Sequence, residues 1–325
     1  IIDGDVDRDM LGGYGLGLHL RKAVNYTFSI RGSVFYGMAM GLEKQPARHR
    51  NNTGTNGIGG GLVEQPVFDM LDPMRGGPGE WFPAYQTTYI STDIAAIFNL
   101  GNLLFHRERN KWNLYFGLGM GLNTHEARLD ILDSNGLPYD GVRQLIGWTP
   151  EEFDTKAGRD RIASELRELY DGDYETEAYK KAGIFRIGDE MNLHFVIIPS
   201  IGISRKLSKR INLSLEHQAF ISDTDYLDGI KFRTSVDQSN NIDVGHYTSM
   251  RIGINLGNFK EVTEPLYWMN PIDQALSDIA QLKQEDKLEL ADEDNDGVID
   301  LLDQELDTPE DCPVDTRGII LDSDG

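Results

Sequence analysis

Hydrophobic and polar residues alternate along much of this chain. In residues 208–221, SKRINLSLEHQAFI, Ile211, Leu213, Leu215 and Ala219 are apolar while Asn212, Ser214, Glu216 and Gln218 are polar. Residues 246–257, HYTSMRIGINLG, repeat the pattern, with Met250, Ile252, Ile254 and Leu256 against Ser249, Arg251, Gly253 and Asn255. A period of two sends alternate side chains to opposite faces of a β-strand, so both runs predict strands with one apolar face. Residues 13–22 set Leu16, Leu18 and Leu20 against Gly15, Gly17, His19 and Arg21, and residues 27–40 set Phe28, Ile30, Val34, Tyr36, Met38 and Met40 against Thr27, Ser29, Arg31, Ser33 and Gly37. Residues 85–100 carry Ile90, Ile94, Ala96 and Phe98 opposite Tyr89, Ser91, Asp93 and Asn99; residues 111–122 carry Trp112, Leu114, Phe116, Leu118, Met120 and Leu122 opposite Asn113, Tyr115 and glycines. Residues 193–207 are less clean, because Val196 and Ile198 also occupy the second face, and Pro199, which lacks a ladder donor, predicts a bulge.

These seven runs reach about ten residues or more, whereas strands of soluble proteins usually have about five or six. A wide apolar face opposite a polar one, on strands long enough to cross a tilted bilayer path, predicts an all-β fold: a transmembrane antiparallel β-barrel over residues 1–257. A soluble sandwich or lipocalin-like barrel is the competing reading. Tyr14, Tyr26, Tyr36, Tyr85, Trp112, Phe220 and Tyr247 lie near strand ends and are expected to form the aromatic girdles. The connections after residues 22, 100 and 205 are short and rich in Lys and Arg, while 43–84, 123–191 and 222–245 are long, so the long ones are expected outside and the short ones in the periplasm. Single-chain barrels of this kind have an even strand number, about eight at the smallest, so a further strand is expected before Ile1, with 1–11 as the first external loop. Direct closure of 13–22 on 246–257 would contradict it. In the longest loop, residues 149–172 read as one helix with Thr149 as N-cap and Pro150 at its first position, and 174–183 as a second short helix. That loop is expected to be a protein contact or a lid.

About eight strands leave an interior that side chains fill. Arg21, Arg31, Asp93, Glu216 and Arg251 point inward by parity, and pairs of Arg31 with Asp93 and of Glu216 with Arg251 are expected, whether to neutralise the lumen or to gate it. The formal net charge is −22, which disfavours nucleic acid as a partner and favours divalent cations. The single Cys312 excludes an internal disulfide framework and a paired-thiolate zinc site. No nucleophile and base converge in the sequence, so no enzyme is expected; His217, on the outward face, is the one unusual residue there.

Alternation ends at 257, and 258–290 read as a periplasmic linker with two prolines, the Tyr267–Trp268 pair and a short amphipathic helix. Residues 292–303, DEDNDGVIDLLD, then place Asp292, Asp294 and Asp296 on alternate positions before Gly297. Calcium takes six to eight oxygens, and a glycine allows the sharp turn that brings such carboxylates together. The carbonyl of Val298, with Asp300 nearby and Asp303 at the twelfth place, completes the expected Ca2+ set; Asp322 and Asp324 begin another such loop.

The stretch DEDNDGVIDLLDQELDTPEDCPVDTRG resembles a thrombospondin type 3 repeat, as found after the barrel in OmpA/OprF-like outer-membrane proteins of Bacteroidota. GLGLHLRKAVNYTFSIRGSVFYG and EPLYWMNPID are similar to that family's strands and barrel exit. The resemblance implies a repeat region from 291 to 325, a disulfide partner for Cys312 in a later repeat, and a following domain that binds peptidoglycan. The expected function is therefore a tether between outer membrane and peptidoglycan, stiffened by calcium. The alternative is an accessory subunit of a larger outer-membrane complex, for protein assembly, secretion or nutrient import, docking through 43–84 and 123–191.

Overall fold

A computed structural model describes residues 2–4, 6, 8–48, 78–101, 111–178, 183–187, 191–230, 242–256, 264–269, 279, 292–309 and 312–321. The chain divides into two compact units, Ile1–Met269 and Asn270–Gly325. The first unit is built from long antiparallel strands. In chain order its strands are β1 (Ile2–Asp3), β2 (Arg8–Ala23), β3 (Phe28–Leu42), β4 (Ala47–Arg48), β5 (Glu80–Trp81), β6 (Ala84–Asn99), β7 (Trp112–Leu129), β8 (Thr176–Glu177), β9 (Phe185–Ile187), β10 (Met191–Lys206), β11 (Ile211–Ser222) and β12 (Val244–Ile254). The main sheet runs β1-β12-β11-β10-β7-β6-β3-β2 and curls into an open half-barrel. All seven runs of alternation lie in long strands.

Burial along these strands is inverted relative to a water-soluble barrel. Outward side chains are apolar and exposed: Leu18 is 83 % exposed, Met250 75 % and Ile252 72 %, with Ile94, Leu118, Ile201 and Leu215 also on that surface. Inward side chains include Ser29, Arg31, Ser91, Asp93, Asn113, Asn123, Glu216 and Gln218, all buried. No helix among the described residues is long and apolar enough to cross a membrane.

The edges of the sheet do not close on each other. Among the described residues no ladder joins β2 to β12. The start of β12 pairs instead with β1, Ile2 opposite Gly245 and Asp3 opposite Val244. A cleft of about 610 Å³ separates the two edges, lined by Leu16 to Ala23 on one side and Ser249 to Leu256 on the other. The direct seven-strand closure that would contradict an additional strand is therefore not present.

Pro199 makes no bulge. The β10–β7 register is continuous through Ile198, Pro199 and Ser200, and β10–β11 keeps one register on either side of it. The proline sits on the outward face, where it forgoes one ladder bond without displacing its neighbours. The irregularity falls between Arg8 and Gly13, where the β2–β3 register shifts.

The girdle assignment needs correction for three residues. Tyr14, Tyr36 and Trp112 are exposed on the outer wall, but Tyr85 and Phe220 are buried, and Tyr247 packs against Phe35 with ring centroids 4.5 Å apart. Each of these three has the parity of the polar face, and parity decides direction on a strand.

The described part of the long loop after β7 differs from the expected helices. It forms α1 (Val142–Leu145), α2 (Pro150–Phe153) and α3 (Lys156–Leu169). Thr149 caps α2, its hydroxyl accepting from Glu152 N at 3.3 Å, and Thr155 caps α3, accepting from Gly158 N at 3.0 Å. One expected helix is thus two, because Thr155 offers a second cap and Gly158 packs against the Glu152 carbonyl, where a Cβ would collide. In the second expected helix, Thr176 and Glu177 instead form β8 and extend the edge of β7, while 179–182 lie outside the described residues. Phe82, Val142, Ile146, Ile162 and Leu166 form the core of this cap. Trp148 Nε1 donates to the Lys44 carbonyl at 2.8 Å and the Tyr170 hydroxyl to the Phe82 carbonyl at 2.8 Å, tying the helices to the loops flanking β3 and β6.

Candidate functional site

The barrel interior is filled in three tiers. Nearest the long loops, Phe35, Tyr89, Phe220 and Tyr247 stack with centroids 4.5 to 6.2 Å apart. Gly15 and Gly37 make room for the Phe35 ring, since a Cβ on either would press into it. In the middle, Arg31 Nη1 donates to both oxygens of Glu216 at 2.8 Å, Tyr115 donates its hydroxyl proton to Glu216 Oε2 at 2.7 Å, and Arg251 reaches Oε1 at 3.2 Å. Gly202 leaves space for the Tyr115 ring. Near the short turns, Arg21 donates to Asn99 Oδ1, and its guanidinium lies 4.2 Å from the Tyr267 ring centroid. Tyr267 and Trp268 are buried, so the exit segment packs on this end, where Lys206 pairs with Glu264.

The expected partner of Arg31 is corrected here. Arg31 bonds to Glu216 across the lumen, and Asp93 instead accepts from Ser33 at 3.4 Å. On the sheet Asp93 stands opposite Ser33, two places from Arg31, while curvature brings β11 over β3. The expected Glu216–Arg251 pair is present, on neighbouring strands. Outside the wall, His217 Nδ1 lies 2.8 Å from Thr248 Oγ1 and its ring stacks on His246. His246 was not singled out by the sequence, although adjacency of β11 and β12 implies the contact.

The second unit carries the acidic loop. One carboxylate oxygen from each of Asp292, Asp294 and Asp296 lies within 4.8 Å of the others. Asn295 and Gly297 hold left-handed backbone, at φ 55° and 91°, which folds the alternate aspartates onto one point. The carboxylates are set by backbone N–H groups: Gly297 donates to Asp292 Oδ2 at 3.0 Å, Thr308 to Asp294 Oδ2 at 2.7 Å and Val298 to Asp296 Oδ1 at 2.7 Å. The Thr308 N–H holds the Asp294 carboxyl below the usual range, so it stays ionised.

Asp303 joins this group. A Cβ on Gly318 would strike Asp303 Oδ1 and lie 3.2 Å from Asp296 Oδ2, so both carboxylates approach the Gly318 backbone. Asp296 Oδ2 and Asp303 Oδ2 are buried with no hydrogen-bond partner. Asp300 turns back to accept from Glu293 N at 2.9 Å, and Val298 contributes the N–H noted above. Asp322 and Asp324 lie outside the described residues. The donors are hard oxygens with orphaned lone pairs, and they fit calcium. A second turn packs beside the first: Asp315 Oδ1 accepts from Arg317 N at 2.8 Å and Ile319 N at 3.2 Å, and Arg317 O accepts from Gln304 N. Its signal was the Asp-x-x-Gly spacing of Asp315 and Gly318. Cys312 is free.

No protein-family model and no curated protein matches the chain.

Proposed function

We propose that this chain is a non-enzymatic outer-membrane protein: an eight-stranded transmembrane barrel with a filled lumen, whose periplasmic segment is stiffened by calcium and tethers the outer membrane to peptidoglycan. The observation that carries the membrane reading is the inverted burial, apolar side chains outward on every long strand and Arg31, Glu216 and Asn123 sealed inside. In water such a wall would expose far more contiguous apolar surface than soluble proteins carry. Short turns at one end and folded loops at the other favour the stated orientation. Apart from the Ile2–Asp3 pairing to the start of β12, no ladder covers the edges of β2 and β12 among the described residues, whereas a closed membrane barrel leaves no edge open.

The test is reconstitution in liposomes with brominated lipid. Tryptophan placed at Leu118, on the outer wall, should be quenched strongly, and tryptophan at the interior position Ser200 weakly. Equal quenching at the two positions would remove the membrane reading. The wall-binding step rests on the repeat and its resemblance. Failure of the full-length protein to co-sediment with purified peptidoglycan would sink it while leaving the barrel intact. The second reading, a subunit of a larger outer-membrane complex, draws support from the ordered cap, which exposes Leu137 and Leu145. A partner retained through mild detergent extraction would favour it.

A further inference from the structure

The short turns concentrate positive charge on a chain that is otherwise acidic. Their described residues, 22–27, 111 and 205–210, hold Lys22, Lys111, Arg205, Lys206, Lys209 and Arg210 and no carboxylate, against a formal net charge of −22 for the whole chain. Lys206 is neutralised by Glu264 of the exit segment. Two of the others stand on the outer wall itself. The outward series Leu16, Leu18 and Leu20 ends on Lys22 of β2, and the series Ile201 and Ile203 ends on Arg205 of β10. Arg205 is exposed, and it lies between Ile203 and Leu207, which are exposed and apolar. Its stem therefore leaves the wall from an apolar strip.

Trp112 stands directly opposite Arg205 in the β7–β10 ladder, also exposed, and the guanidinium lies 5.2 Å from its ring centroid. Stacking on an indole face holds the cation against the wall and leaves the edge of its planar fork for other partners. Among the described residues the guanidinium has this ring contact and no ion pair or hydrogen bond. A charge left in hydrocarbon is costly, and long basic side chains avoid that cost by reaching the headgroup level. The counter-ion at that level is a lipid phosphate, whose oxygens fit the fork through two parallel N–H bonds. A headgroup without an ammonium of its own leaves that phosphate charge uncompensated, and the neighbouring basic turns add to the attraction.

We propose that Arg205 and Trp112 form a headgroup site for an anionic phospholipid, of the phosphatidylglycerol class, in the leaflet at the short turns. The inference rests on the membrane reading given above. Arg205 takes the phosphate, Trp112 holds the guanidinium in place, and Ile201 and Ile203 continue the wall towards the acyl chains. Lys22 marks the same level on β2.

The experiment folds the full chain in micelles holding equal amounts of phosphatidylglycerol and phosphatidylcholine with the same acyl chains, and counts the retained lipids by native mass spectrometry. The unaltered chain is expected to retain phosphatidylglycerol about fivefold over phosphatidylcholine, the factor that one basic side chain near an anionic surface supplies. Arg205→Gln should bring the ratio down to about twofold or less. Arg205→Lys keeps the charge without the fork and should fall between the two, and Trp112→Leu should also lower the ratio. Lys156→Gln, on α3 at the other end of the barrel, should leave it unchanged. Equal retention of both lipids by the folded, unaltered chain overturns the site. A preference that Arg205→Gln leaves intact overturns it too, since the turns at large would then be responsible. Strong quenching of Leu118→Trp by brominated lipid without any headgroup preference removes the site and leaves the barrel, whereas equal quenching of Leu118→Trp and Ser200→Trp removes both.

Discussion

Glu216 organises the barrel interior, because two arginines and a tyrosine hydroxyl converge on its carboxylate. Glu216→Gln leaves Arg31 buried without its counter-ion, and such losses cost about 3 to 5 kcal/mol. Chemical unfolding in detergent should show a destabilisation of that order, and Arg31→Met in the same chain should recover part of it. At the cap, burial pushes the Asp130 carboxyl up to about 7, although it accepts from the Tyr139 hydroxyl and Gly172 N. The protonated acid is the form the fold prefers. From the ordinary aspartate range up to about pH 7 the unfolded chain therefore ionises first, and stability falls with rising pH, then levels off above 7. The slope is at most about 1.4 kcal/mol per pH unit. Trp148 fluorescence during thermal melting should follow this trend, and Asp130→Asn should flatten it. The inward direction of Glu216, Arg31 and Arg251 was legible from parity alone. The Arg31–Glu216 bond was not, since its partners lie 185 residues apart and meet only through sheet curvature.

For strands, alternation was sufficient evidence. All seven runs became long strands, because a two-residue period has one meaning on a pleated surface. The outward face makes a direct prediction: Leu118→Arg should lower the folded fraction in liposomes by about 2 to 4 kcal/mol, against a much smaller effect for Leu118→Ala. Measured by gel mobility of folded and unfolded forms, equal effects of the two changes would argue against lipid contact. Elements without long periodicity were read less well. The stretch at 174–183 has helix-forming residues, yet Thr176 and Glu177 join the sheet because the edge of β7 offers unpaired backbone groups. The break between α2 and α3 depends on Thr155, a capping residue inside an otherwise continuous helical pattern.

At the scale of the whole molecule, the apolar-walled half-barrel and the acidic loop fall in separate compact units. Calorimetry on residues 285–325 extended by a completed following repeat should show calcium binding, and silence at millimolar calcium would refute the loop assignment. The sequence by itself determined the strands, their two faces and the carboxylate spacing of 292–303, because each follows from local geometry: a pleat of period two and a turn that needs Gly297. Only the tertiary structure decided what meets across distance. It set Glu216 against Arg31 and brought Asp228 and Asp243 against the Gly4 backbone. Those contacts depend on how far a twisted sheet curls and how its loops return over it, and no local pattern encodes that curvature.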